Sequence, residues 1–367
     1  MRSLIACLLL LMAAVTPAQE DHRAWQHGVN LVKVGGKLLL VWGSAGNPPR
    51  PNLGGDWPHD VYYAWLDAKD PTAVSPQVLV SQPEAQEPPS VAINDRGTIL
   101  MTSEDGNGGI NQNAGLWDSS LRVLRKYPFL IRRGGHSGHV AALRDRFLVV
   151  YGEGWVERGG FLDRGTGKDI HARIVENDGR LGREIRIASG HRDGWPLVAA
   201  SDRNWLVVWQ RYPELTLHTA PVSREGKVGK ERRVIEAMPV RYAYDVAFAP
   251  QLGAYVVAGS TVDGGFAALV SLAGELIALQ RGLPQMASES RLVIGDSAQP
   301  MAVYPVKPRG TAVLRLSAGA IELARVIDHP HSWDYMGTDG GFLDPGRVLF
   351  ATLSKTGLRL LSVNLRD

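Results

Sequence analysis

The strongest constraint on what this chain can become is a short pattern that returns along nearly its whole length. VAALRDRFLVVY (140–151) is echoed by VAINDRGTILMTS (91–103), VAASDRNWLVVW (198–209), VAFAPQLGAYVVA (246–258) and VIGDSAQPMAVY (293–304). Weaker copies stand at LVKVGGKLLLVW (31–42) and MGTDGGFLDPGRVLFATL (336–353). Each has a small-residue segment, a polar turn and a second segment rich in β-branched residues, which is the composition of a hairpin. A second hairpin usually follows, as in IHARIVENDGRLGREIRI (170–187), LHTAPVSREGKVGKERRVI (217–235), FAALVSLAGELIAL (266–279) and TAVLRLSAGAIELARVI (311–327), each turning at a Gly-containing tetrapeptide. Four strands make one unit. The unit returns seven times, roughly every 45–60 residues, with no convincing amphipathic helix between copies.

This pattern predicts an all-β, seven-bladed β-propeller of four-stranded antiparallel blades, whose closure leaves only short, protected sheet edges. A pair of β-sandwiches, or a ring of six or eight blades, is the competing arrangement. The last unit ends at LRLLSVNLRD with a third strand and no fourth. Residues around Ala24 to His27 are therefore expected to supply an outer strand that closes the ring. The VA…LVVW and DG…LG pattern resembles the repeats of exported bacterial β-propeller proteins and covers nearly the whole mature chain. That resemblance implies a fold alone, because such repeats serve lyases, hydrolases and binding modules alike.

Residues 1–18, MRSLIACLLLLMAAVTPA, read as a secretory leader followed by a single domain over 19–367. One arginine precedes an apolar run of about twelve residues, short of the roughly 20 needed to span a bilayer. Cleavage near Ala18 would send the protein to the periplasm or the exterior. It would also remove Cys7, the one cysteine, so neither disulfides nor a thiolate metal site are available to the mature chain. Lysine and arginine number 40 against 37 acidic residues, which gives no reason to expect nucleic acid or an anionic membrane as partner. No later stretch is apolar enough for a transmembrane segment, and a monomer is expected.

In a four-stranded blade the A–B and C–D turns share one face, while the B–C loops and D–A connections share the other. The first set is short and generic: NDRG, RDR, SDRN, NDGR, SREG. The second includes GSAGNPPRPNLGGDWPHD (43–60), EDGNGGINQN (104–113), GEGWVERGGFLDRGTGKD (152–169), RGGHSGH (133–139), SGHRDGW (189–195), MPVRYAYD (238–245) and DHPHSWDY (328–335). Long, polar loops of this kind are where function concentrates. Seven of the ten histidines lie there: His27, His59, His136, His139, His191, His329 and His331. Aligned on strand A, His139, Leu197 and Asp245 match, with His136, Gly194 and Tyr242 three residues earlier. With His191, Arg192, Asp193, Arg241, Tyr244, Glu289, His331 and Asp334 they form a candidate funnel site.

Two classes of function fit these residues. A binding or scaffold protein would take a carbohydrate, peptide or envelope protein on this face, with Trp57, Trp155, Trp195 and Trp333 as stacking platforms and Glu153 as a polar contact. A polysaccharide lyase would use His136, His139 or His191 as base, Tyr242 or Tyr244 as acid and Arg192 or Arg241 for charge. A hydrolase would need paired carboxylates such as Glu153, Glu157, Asp163 and Asp193. A divalent metal on His136, His139, His191 and Asp193 is chemically reasonable, although no compact ligand motif is present. No nucleophile elbow, sialidase-type aspartate box, P-loop or dinucleotide fingerprint occurs, so binding leads and catalysis is the alternative.

Overall fold

The computed structural model describes residues 26–45, 59–67, 70–71, 73–105, 110–153, 169–239, 242–295, 299–333, 337–354 and 357–366. The leader at 1–18 lies outside them, as do Trp57, Trp155, Glu157, Asp163, Arg241 and Asp334. Among the described residues no helix is long and apolar enough to cross a membrane. The one helical turn noted is a 3-10 segment at Pro250–Leu252.

The strands form seven antiparallel sheets, each ordered as in the chain, and the molecule is a seven-bladed β-propeller. Blades 1 to 6 span residues 26–80, 86–133, 135–188, 192–235, 244–283 and 293–332 with four strands each. Blade 7, residues 338–364, has three strands among the described residues. Of the segment expected to close the ring, Ala24 and Trp25 lie outside the described residues. Gln26 and His27 instead open the first strand of blade 1, paired with Ser44 and Gly43.

The first strand of every blade touches the first strand of the next, from Gln26–Val34 round to Thr338–Asp344 and back. These seven strands therefore surround the axis. Behind each lies a second strand whose nearly unbroken apolar sequence follows from its position. Side chains alternate across a strand, and here both faces meet another blade, so both must be apolar. In RFLVVY, Phe147, Val149 and Tyr151 pack with Leu100 and Leu116 of blade 2. Leu148 and Val150 pack with Trp205, Val207 and Trp209 of blade 4. The next second strand repeats the division, with Leu206 and Val208 turned to Val257 and Phe266 of blade 5. Seven clusters of this kind fill the seven junctions. The junction of blades 7 and 1 joins Leu349, Ala351 and Leu353 to Leu31, Leu40 and Trp42.

Because the closing junction has the same construction as the others, it should carry comparable stability. Leu349→Ala, at a fully buried position, is expected to cost about 2–5 kcal/mol in denaturant unfolding. Leu323→Ala, on the exposed outer strand of blade 6, should stay within about 0.5 kcal/mol. Equal, small effects at both would mean that the junction of blades 7 and 1 does not hold the ring.

Candidate functional site

His136 and His139 stand three apart at the start of the first strand of blade 3, where a regular strand would send them to opposite faces. It is not regular. His139 pairs with Val150 and His136 with Gly152, so three steps on the inner strand match two on its neighbour. This β-bulge adds one residue and restores both histidines to the same side. Ser137, between them, adopts φ 55°, the left-handed region. The same extra residue occurs at the same level in blades 1, 2 and 4: His27 to Val29 against Gly43 to Trp42, Glu87 to Ser90 against Glu104 to Thr102, and Gly194 to Leu197 against Gln210 to Val208. Gly28 (φ 77°) and Trp195 (φ 56°) are the counterparts of Ser137. Pro88 and Pro89 fill the place in blade 2, where a bulge tolerates proline.

The bulges turn a ring of ionisable side chains toward one end of the axis. His27 of blade 1 lies between two carboxylates, with Nε2 3.1 Å from Glu289 Oε2 and Nδ1 3.5 Å from Glu87 Oε2. Glu87 also accepts from His59 Nδ1. Glu104, opposite Glu87 in blade 2, accepts from the Ser137 backbone N–H and lies 3.8 Å from His136 Nε2. On the other side of the ring, Arg291 donates from Nη2 to His139 Nδ1 at 3.0 Å and from Nη1 to Asp245 Oδ1 at 3.1 Å. The remaining Asp245 oxygen accepts the Leu292 N–H at 2.7 Å, and Asp339 of blade 7 accepts that of Leu31 at 2.7 Å. Tyr242 stacks on Trp195, ring centroids 4.9 Å apart, and stands edge-on to His139 at 6.0 Å. His27, Glu87, Glu104, His136 and Glu289 each keep 12–16 % of their side-chain surface in contact with solvent, so the ring lines an opening and is not a dry core.

Neighbouring groups are driven to opposite protonation states. Burial alone would lower His27, but the charges and hydrogen bonds of Glu289 and Glu87 override it and raise its pKa to about 10. Burial would raise Glu87; the charge of His59 and hydrogen bonds from His27 and His59 hold it at about 2. For Glu104, burial, reinforced by the Glu87 carboxylate, pushes the pKa to about 8 against the Ser137 N–H and the charge of His27. Burial and the nearby His27 cation lower His136 to about 3. His139 is likewise pushed well down, by burial and then by Arg291 and His27. Burial raises Asp339 to about 6 against the pull of Arg291. At neutral pH the ring thus holds the His27 imidazolium, the Glu87 carboxylate, the protonated Glu104 carboxyl and the neutral imidazoles of His136 and His139.

Of the residues singled out from sequence, the ring brings together His27, His59, His136, His139, Trp195, Tyr242, Asp245 and Glu289, on the face carrying the B–C loops and D–A connections. It does not include the others that are described. His191 and Arg192 are exposed at the start of blade 4. Asp193 is buried beneath Arg211, which donates to both its oxygens at 2.7 and 2.9 Å. With Asp193 taken by one guanidinium and His139 by another, the metal set His136, His139, His191 and Asp193 is not assembled. The Tyr244 hydroxyl donates to the Trp195 carbonyl at 2.6 Å, a structural role. His331 is exposed at the end of the outermost strand of blade 6, and Trp333 donates Nε1 to Gly310 O at 2.6 Å and packs on Phe350. Both belong to the rim. Glu153 lies at the mouth of blade 3 beside Asp169 and His171.

The sequence reading passed over Glu87, Glu104, Arg291 and Asp339, and it gave His27 a place in a closing strand. A usable signal was present. HGV, EPPS, HSGH and GWPL each put Gly or Pro just ahead of an inner strand, the mark of a bulge in a strand pattern. The residues flanking those interruptions are the ones that reach the axis.

No protein-family model matches this sequence, and no curated protein is similar to it in sequence. Solved structures share the architecture. The BP39L lectin from Burkholderia pseudomallei is 14% identical, with a TM-score of 0.61 over 93% of this chain and 97% of that one. A protein of unknown function from Dyadobacter fermentans is 12% identical, with a TM-score of 0.55 over 93% and 94%. An oligogalacturonate lyase in complex with manganese is 13% identical, with a TM-score of 0.52 over 93% and 97%. At such identities the likeness concerns the fold.

The raised pKa of Glu104 gives a pH signature. The folded state keeps this proton while the unfolded chain loses it at the ordinary value of 4.5, so its contribution is lost as pH rises from there to about 8. Glu104→Gln keeps the acceptor oxygen and abolishes the titration. The stability difference between variant and parent is expected to grow in the variant's favour across that window and to level off above it. Thermal melts at several pH values read this difference, and a constant difference would contradict the assigned state.

Proposed function

We propose that this protein binds a carbohydrate at the axial opening of its B–C/D–A face. The observation that supports this most is the convergence of donors and acceptors from different blades on one solvent-touched point. Its charges are answered within the site: His27 faces Glu87 and Glu289, Arg291 faces Asp245, and Glu104 and the two histidines are neutral. A balanced set of this kind favours a neutral, hydroxyl-rich ligand over a polyanion or nucleic acid. The Tyr242 ring, seated on Trp195, offers a face on which a sugar can stack. The leader expected at 1–18 would deliver such a binder outside the cytoplasm, where glycans, peptides and envelope proteins are the available ligands.

A second reading, a lyase or hydrolase, is favoured by one observation, the pairing of protonated Glu104 with neutral His136 at 3.8 Å. Groups whose environments split their pKa values in this way can act as acid and base on one substrate. The two readings share a site and differ in turnover.

A glycan array of neutral and acidic oligosaccharides, followed by calorimetric titration of any hit, tests the proposal. A neutral saccharide should bind, and Glu87→Gln and His136→Ala should each weaken it at least tenfold, while Tyr242→Phe should have a smaller effect. Absence of binding by any saccharide, or binding unaffected by all three changes, would overturn it. If the bound saccharide is cleaved by the parent and bound intact by Glu104→Gln, the enzymatic reading replaces simple binding.

A further inference from the structure

Blades 3 and 4 carry the same side-chain cluster at their outer mouth, with three differences that change its chemistry. In blade 4, His218 pairs with Trp209 across the second and third strands, and the rings stack with centroids 5.9 Å apart. Its Nε2 is 2.8 Å from Thr216 Oγ1, and its Nδ1 is 2.9 Å from Glu231. Arg211 closes the group by reaching both Asp193, at 2.7 Å, and Glu231, at 2.7 Å. Every charge there has a partner.

In blade 3 the equivalent pair is His171 on Tyr151, stacked at 6.2 Å. Glu184 occupies the place of Glu231, two residues before the partner of the histidine on the outer strand in each blade. The place of Arg211, however, is taken by Glu153, and the place of Thr216 by Asp169. Across from them the position of Asp193 is Gly135. A guanidinium has become a carboxylate, and a hydroxyl has become another.

The result is an imbalance. Among the described residues, Glu153, Asp169 and Glu184 face one close arginine, Arg132 from blade 2, which donates to both Glu184 oxygens at 2.9 and 3.2 Å and lies 3.7 Å from Glu153. Arg186 approaches Asp169 only to 3.9 Å and is largely exposed. His171 is 8 % exposed, yet neither ring nitrogen makes a hydrogen bond to a described residue. Its Nδ1 is 3.3 Å from Glu184 Oε1, and its Nε2 faces Asp169 Oδ2 across 4.0 Å. That gap is too long for a hydrogen bond. Two ligands each about 2.0–2.2 Å from one ion can stand at most about 4.4 Å apart, so the gap admits a cation between them. Ligand atoms of Glu153, Asp169 and His171 all lie within 4.8 Å of one another.

We propose that Glu153, Asp169 and His171 hold a divalent transition-metal ion, zinc by preference, in the position that Arg211 fills in blade 4. One imidazole with two carboxylates is a borderline donor set that suits zinc better than calcium or magnesium. Arg132 leaves room for this role because its shorter contacts are to Glu184, which fixes that carboxylate as an outer neighbour of the histidine. Glu153 and Asp169 are also joined by a backbone hydrogen bond of 3.2 Å, so two ligands come from the base of one loop. Its three residues come from the second strand of blade 3, the residue before the third strand, and that third strand, and none of them belongs to the axial ring.

The test uses the intact protein, stripped with chelator, reloaded with zinc chloride, freed of excess ion and assayed by elemental analysis and thermal melting. One zinc per chain and a higher melting temperature are expected. Asp169→Asn should weaken binding at least tenfold. Glu153→Arg, which copies blade 4, should remove the ion yet leave the melting temperature of the zinc-free protein at or above that of the stripped parent. His218→Ala should retain one zinc. Substoichiometric zinc in the parent, or full occupancy in both Glu153→Arg and Asp169→Asn, would overturn the proposal. Should Glu153→Arg fail to fold, Asp169→Asn decides alone.

Discussion

Everything in this molecule depends on the double burial of each blade's second strand. A strand with one wet face can be built from alternating residues and needs one neighbour. Strands such as RFLVVY and NWLVVW have no wet face, and they are stable only when a blade packs on either side. Seven such demands are met together by a closed ring, in which the last blade also finds a partner. With one cysteine the chain can form no internal disulfide, and this shared burial is what offsets the conformational entropy of ordering so many short strands.

The ring then makes a site at little cost, because it collects the starts of seven inner strands round one axis. What distinguishes this axis from an ordinary packed one is the bulge in blades 1 to 4. A flat inner strand would present side chains of one parity to the centre and bury the others between blades. The inserted residue shifts the parity near the mouth, and polar residues that would have clashed with the apolar junctions are delivered to the opening. Burial there is deep enough to drive His27, Glu87, Glu104 and His136 far from their solution behaviour, and shallow enough to leave them touching water.

Architecture was legible in the sequence because its causes are local and repeated. Hairpin turns, β-branched runs and their spacing each announced a blade, and the division of residues between the two loop faces followed from counting strands. The site was legible only in part. His136, His139, Tyr242 and Asp245 declared themselves by alignment on the inner strand. Glu87, Glu104 and Arg291 did not, since their partners come from other blades and no spacing within a repeat reports them. Asp193 and His191 were misplaced for a related reason: one belongs to an ion-paired group with Arg211, the other to solvent, and their neighbours in sequence look alike. Trp333 and Tyr244, candidates by type, proved to have backbone carbonyls as partners.

The contact between His27 and Glu289 joins residues 262 positions apart, and that between His139 and Arg291 joins residues 152 apart. Neither pair can meet before most of the chain has been made and the intervening blades have docked. In a chain that stops short of residue 289, His27 would lack one of the two carboxylates that hold its proton, and His139 would lack the Arg291 guanidinium. The unusual protonation states of the axis therefore arise last, as a consequence of completed topology. They exist only in molecules whose folding has finished.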